Sequence, residues 1–263
     1  MARSWMFLLA AFAASAAADQ RPVLSLVIDD LGYSLDQGLA AIELHGDHTY
    51  AILPESIYSR RLAIRAHQLD KEVILHLPMQ SIRSGAAQEP NVLNESMDEN
   101  QLTAEVHSLL EAVPYISGVN NHMGSHLTEF DFFMRPVMDS IRGYDPHLYF
   151  LDSRTSPLSV AYAQALDAGL PSVRRDVFLD NETNTESIYL QYRIWLEIAR
   201  KHGSAIAIGH PHTQTLEVLR NNLATANTEF RFMRVSKLIE MRKARKSTQK
   251  RRERYPALQA VAD

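Results

Sequence analysis

Two adjacent carboxylates, Asp29-Asp30, close an apolar run. Two histidines four positions apart, His122 and His126, close another that ends in Asn120-Asn121. Carboxylate oxygens and imidazole nitrogens are the usual ligands of Zn2+ and related divalent ions. Two histidines separated by three residues can fall on the same side of one turn, which Gly124 would permit. One carboxylate with two imidazoles leaves a coordination position for water, the catalytic arrangement, whereas four protein ligands would make a closed structural site. Successive strand side chains point apart unless a turn splays them, so one of the two aspartates can hold the ion while its neighbour moves a proton. The chain has no cysteine, so no thiolate serves as ligand or nucleophile and no disulfide braces the fold.

The elements that must position these groups repeat along the chain. Seven β-rich apolar runs occur at residues 23–30 (VLSLVIDD), 48–54 (HTYAILP), 72–78 (EVILHLP), 116–122 (ISGVNNH), 148–154 (LYFLDSR), 172–180 (SVRRDVFLD) and 204–210 (SAIAIGH). Most are nearly continuous hydrophobics, as in parallel strands buried on both faces. In such folds the strands' carboxyl ends converge on the active site. His76, Asp152, Arg154, Asp176 and His212, in or just beyond these runs, are therefore candidate substrate-binding residues on one rim.

Helical patterns alternate with the strands. Ser34 and Asp98 each precede one with a glutamine three residues on, Gln37 and Gln101, the capping-box spacing. Ser156-Pro157 opens another that ends before Gly169, and Thr185 to His202 forms a long helix closed by Gly203. The rhythm predicts a parallel α/β sheet, either a closed barrel of about seven units or an open doubly wound sheet. A polar stretch, residues 80–100, forms a long loop after the third strand.

The chain's 263 residues, 46% hydrophobic and 22% charged, suit one domain, placed at residues 22–235. Residues 1–18 read as a signal peptide: Arg3, an apolar run from Trp5 to Phe12, and an A-x-A cleavage site before Asp19. That predicts a periplasmic or secreted protein. No other stretch approaches ~20 apolar residues, so no transmembrane span is expected in the mature protein. Residues 236–263 read as a basic, disordered tail. Residues 242–254 carry +7 within a total of −4, which leaves −11 for the rest. So acidic a body argues against nucleic acid as a partner. The tail is either a solvated terminus or a contact for anionic lipid or cell-wall polymers.

The segments around these residues (VIDDLG, ILHLPM, GVNNHMGSH, FLDSRTS, AIAIGHP) resemble the divergent branch of the polysaccharide deacetylase superfamily over roughly residues 22–235. The resemblance implies a distorted (β/α)7 barrel. It implies Asp29 as general base, Asp30, His122 and His126 as ligands of a divalent metal, most simply Zn2+, and His210 as the general acid. The chain departs from the family's usual pattern at Met123, where Ser or Thr is usual. The family's arginine motif has only Arg154 as a candidate, and RRDVFLDN lacks the usual Asp-Trp pair, leaving Asp176 or Asp180 as partner. The implied activity is hydrolysis of N- or O-acetyl groups on an envelope polysaccharide or peptidoglycan. The competing class is a non-catalytic envelope protein that keeps the metal or cleft to bind glycan. Metal-dependent phosphoester hydrolysis is disfavoured, since no glycine-rich phosphate cradle is present.

Overall fold

The computed structural model describes residues 19–83 and 91–254, so the signal-peptide reading at residues 1–18 lies outside the described residues. The strands are β1 (Val23–Leu31), β2 (Thr49–Ile52), β3 (Glu72–Met79), β4 (Ile116–Met123), β5 (Tyr149–Asp152), β6 (Ser172–Arg174), β7 (Val177–Phe178), β8 (Ser204–Gly209) and β9 (Arg231–Phe232). All pair in parallel in the order β6-β5-β4-β3-β2-β1-β8-β7, with β9 added to the start of β1. Helices α1 (Leu35–Ile42), α2 (Ser59–Gln68), α3 (Glu99–Ala112), α4 (Asp131–Tyr144), α5 (Ala161–Asp167), α6 (Thr185–His202), α7 (Thr213–Ala226) and α8 (Val235–Arg254) alternate with them.

The expected caps form. Ser34 accepts from Gln37 N, Asp98 and Gln101 make a reciprocal capping box, and Gly203 ends α6 at φ 77°. Ser156-Pro157 does not open a helix. The Ser156 hydroxyl is drawn to Glu129 instead, and α5 begins at Ala161.

The run at 172–180 is not one strand. Its first part, β6, pairs with β5, and its second part, β7, pairs with β8, the opposite edge of the sheet. Between them Arg175 N donates to Asp152 O (3.0 Å) and Asp176 N to Ile206 O (2.9 Å). One stretch of chain thus spans both edges and closes a curled sheet, which makes the structure a distorted (β/α) barrel with seven strand–helix units before the short β9–α8 addition.

Alternation along each strand, masked in sequence by burial on both faces, separates two cores. Leu24, Leu26, Ile28, Leu75 and Phe150 face outward under the helices. Val23, Val27, Ala51, Ile74, Leu151, Ile206 and Ile208 face inward and form a second cluster with Val235, Leu238 and Ile239 of α8. Residues 236–254, expected within a disordered tail, are helical instead, and the start of α8 plugs the barrel floor; the rest of that tail lies outside the described residues. The first turn of α8 is held by polar groups as well. Val235 N donates to Thr49 Oγ1 (3.1 Å) and Ser236 N to Glu72 Oε1 (3.3 Å). The Thr49 and Tyr149 hydroxyls also donate to Glu72, at 2.7 and 3.0 Å. Among the described residues no helix is long and apolar enough to cross a membrane.

Candidate metal and catalytic site

The inward stripes change character at the upper ends of the strands. Val27 is followed on its face by Asp29, Ile74 by His76, and Ile208 by His210, while β4 contributes Asn120 and His122. Register places His76 opposite Asn120, and Pro78 opposite His122, on adjacent strands.

Adjacent carboxylates would ordinarily face opposite ways. Here the β1–β2 register slips between Ile28 and Leu31, and Asp30 turns left-handed at φ 59°. Both side chains therefore reach the same site. Met123 (φ 54°) and Arg154 (φ 50°) turn left-handed at the ends of β4 and β5. Such backbone in non-glycine residues costs of order 1–3 kcal/mol each and concentrates at functional sites.

Asp30 Oδ1, His76 Nε2 and His122 Nδ1 form a nearly equilateral triangle. The two aspartate–imidazole edges are 3.1 and 3.0 Å, and the edge between the rings is 3.1 Å. Asp30 Oδ1 is buried and has no hydrogen-bond partner. The Asn120 amide donates to Asp29 Oδ1 (2.8 Å), so its carbonyl oxygen must face His76 Nδ1 (2.8 Å). His76 Nδ1 then carries the proton, and Nε2 presents a lone pair to the triangle. Three donor atoms crowded around a point, one of them unsatisfied, could hold a cation. Their spacing is that of ligands around an ion with bonds of ~2.0–2.2 Å. The donor set fits a divalent metal.

The electrostatics agree. Burial opposes ionisation of Asp30, yet the His122 and His76 rings hold its carboxyl well below the usual range. Burial lowers the pKa of His76, but Asp29 and Asp30 more than reverse this. Asp29 is 2% exposed, and burial raises its pKa. Its Oδ2 lies 3.6 Å from His76 Nε2.

His210 stands across the site, its Nε2 3.7 Å from Asp30 Oδ2. Its Nδ1 lies 2.9 Å from Asp180 Oδ1. Burial would lower its pKa, but the Asp180 carboxylate more than compensates, and the value is pushed up to about 9. The other Asp180 oxygen accepts from His210 N (2.6 Å) and Thr215 Oγ1 (2.7 Å). Asp180, His210 and His212 form a second group of potential metal donors. There, however, both carboxylate oxygens are satisfied, which makes Asp180 a brace for the imidazole.

Several expectations about individual residues are corrected. His126 is not in the triangle: its Nε2 pairs with Glu95 Oε2 at 2.8 Å, and His76 takes the third corner. Met123 and Gly124, both at positive φ, end β4 before the second histidine, so His122 and His126 do not share a turn. A β-carbon at Gly124 would lie 3.1 Å from Met79 Cβ, so the left-handed turn needs glycine there. Asp152 serves its own loop, accepting from Arg154 N and Ser159 Oγ (2.8 and 2.9 Å). Asp176 accepts from Ile206 N (2.8 Å) and helps close the seam. The Arg154 side chain is exposed, and His212 lies at the rim, its ring 5.6 Å from that of His210.

Arg175, at the break between β6 and β7, is not among the expected site residues. It donates to Ser153 O (2.6 Å) and Arg154 O (2.8 Å), and Asp29 is among the carboxylates acting on its charge. Asn120, expected only as the polar end of an apolar run, ties Asp29 to His76. Its signal is the two-residue spacing to His122, which puts both side chains on one face of a strand.

Residues 26–239 match the family model described as divergent polysaccharide deacetylase. The chain belongs to this family. Two curated relatives of this deacetylase-family chain are themselves uncharacterized. The Escherichia coli K12 protein YibQ is 36% identical over 216 residues, covering 82% of this chain and 67% of its own. A Haemophilus influenzae protein is 36% identical over 200 residues, covering 76% and 70%. The fold is shared with a crystal structure of an uncharacterized Agrobacterium tumefaciens protein, at a TM-score of 0.78 and 22% identity, over 84% of this chain and 91% of that one.

Proposed function

We propose that this protein is a divalent-metal-dependent deacetylase, most simply a zinc enzyme, that acts on acetylated envelope polysaccharide or peptidoglycan outside the cytoplasm. The observation that carries the reading is the unsatisfied Asp30 Oδ1 in a triangle with His76 and His122, flanked by a buried carboxylate and a braced imidazole. A structural metal site needs neither flanking group.

A divalent ion held by Asp30, His76 and His122 would polarise an acetyl carbonyl and acidify a water molecule at the open position. Asp29 accepts the proton from the attacking water. Its burial makes it a stronger base than an exposed aspartate, and Asn120 holds it in place. His210, its pKa raised beside the Asp180 carboxylate, donates its Nε2 proton to the departing amine. Asp180 fixes the Nδ1 side of that ring, so the proton is delivered from one defined nitrogen. Envelope glycan as substrate rests on the family and on the leader read in residues 1–18.

The test is acetate release from N-acetylated chito-oligosaccharides and peptidoglycan fragments by the zinc-loaded protein, with and without a chelator. Activity should vanish on chelation and return with zinc. Asp29→Asn should keep its zinc and lose activity by about 10²–10⁴-fold. A zinc-loaded wild type that releases no acetate from any acetylated glycan would favour the non-catalytic binding class. Full activity in Asp29→Asn would refute the assignment of the base.

A further inference from the structure

A second concave surface lies away from the metal cluster and shares no residue with it. Between α5, the loop 169–172 entering β6, and α8 is a groove of about 540 Å3. Four cations line it: Arg174 on β6, and Arg242, Lys243 and Lys246 on α8. They gather on a chain that carries −11 outside residues 242–254. The groove's carboxylate, Asp176, already accepts from Ile206 N (2.8 Å) and lies 3.8 Å from Arg242. The Arg242 guanidinium is held by Ser204 Oγ at 3.0 and 3.1 Å. Among the described residues, Arg174, Lys243 and Lys246 form no ion pair. The Arg174 guanidinium carbon sits 5.8 Å from the Tyr162 ring centroid. Leu166, Leu170 and Ile239 supply apolar wall.

We propose that this groove binds a phosphate group carried on an organic moiety. Two guanidinium forks and two lysine point charges around a concavity suit a multivalent oxyanion, whereas a single carboxylate would be satisfied by one arginine. The volume exceeds that of phosphate alone, and the tyrosine and aliphatic wall matches the attached moiety. The phosphate can come from two sources, a phosphorylated sugar or a phospholipid headgroup. The metal cluster plays no part, so this site stands or falls independently of the deacetylase reading.

The test uses the full chain and four probes: inorganic phosphate and glycerol 3-phosphate by calorimetry, and phosphatidylcholine vesicles with and without phosphatidylglycerol by co-sedimentation. Arg174→Ala, and separately the pair Lys243→Ala/Lys246→Ala, should weaken binding by about tenfold or more. The pair Arg245→Ala/Lys250→Ala removes equal charge from the same helix outside the groove and should change it by less than about twofold. Arg174 lies outside the basic stretch, so its effect separates a groove from a merely cationic helix. Binding of the soluble phosphates alone assigns a sugar-type source. Binding of phosphatidylglycerol vesicles that glycerol 3-phosphate displaces assigns a headgroup. The proposal is overturned if the wild type binds none of the phosphate-bearing probes, if Arg174→Ala binds as well as wild type, or if the Arg245/Lys250 pair matters as much as the Lys243/Lys246 pair. Unchanged thermal unfolding midpoints and zinc content confirm that the variants are intact.

Discussion

Glu72 and Asp30 are both acids inside the same curled sheet, one at its floor and one at its upper rim. At the floor, Glu72 receives two hydroxyls and a backbone N–H at the start of α8, a helix end that favours negative charge. At the rim, one Asp30 oxygen receives nothing and faces two imidazole nitrogens instead. Buried polar groups in native proteins are almost always paired. A complete set of partners marks a structural acid, and a missing one marks the place where something else must bind.

The strongest way to break the comparison is to remove the floor. Ending the chain after Arg234 deletes Val235, Leu238 and Ile239, all buried. At ~1.5–3 kcal/mol per apolar side chain this loss rivals a domain's whole stability. We expect no cooperative thermal transition by circular dichroism. A chain ending after Lys246 should unfold cooperatively, since it keeps the buried Val235, Leu238 and Ile239. A well-folded protein lacking α8 would show that the plug is dispensable.

At the rim, the corners of the triangle can be tested directly. His76→Ala should lower zinc affinity by more than about 100-fold, beyond the ~10–100-fold expected of an outer partner such as Asn120 in Asn120→Ala. His126→Ala should bind zinc nearly as wild type, since His126 pairs with Glu95. Competition titration against a zinc chelator reads all three, and a reversed order for His76 and His126 would move the ligand set back to the spacing expected from sequence.

Acid stability turns on one buried imidazole near the floor of the sheet. His48 is fully buried, with Nε2 bonded to His45 O (2.7 Å) and Nδ1 without a partner, and burial lowers its pKa to about 3. The unfolded chain takes up this proton near pH 6.5 while the folded one refuses it. Stability is therefore complete above that pH and falls between about 6.5 and 3, by at most about 1.4 kcal/mol per pH unit from this group. Urea unfolding over that range should show the slope, and His48→Gln should flatten it. An unchanged slope in His48→Gln would place the acid sensitivity elsewhere.

All seven strand runs were legible because buried parallel strands are short, apolar and bounded by polar residues. The break at Arg175 was not, because pairing partners are set by tertiary closure. The caps at Ser34, Asp98 and Gly203 were legible because capping is local chemistry. Asp29, Asp30, His122 and His210 do meet, but the exchange of His126 for His76 depends on two left-handed residues and on cross-strand register, neither of which spacing reveals. The tail misled because its thirteen most basic residues hide the apolar turn that precedes them, Val235 to Ile239.

The place of β1 in the sheet also sets an order of assembly. Val23 pairs with Ser204 and with Arg231, so the first strand made waits for partners about 180 and 208 residues later in the chain. Closing such long loops is entropically costly before any contact rewards it, which slows folding. The N-terminal half therefore stays incomplete until β8, β9 and α8 exist. The sheet can close around β1 only once residues 204–232 have been made.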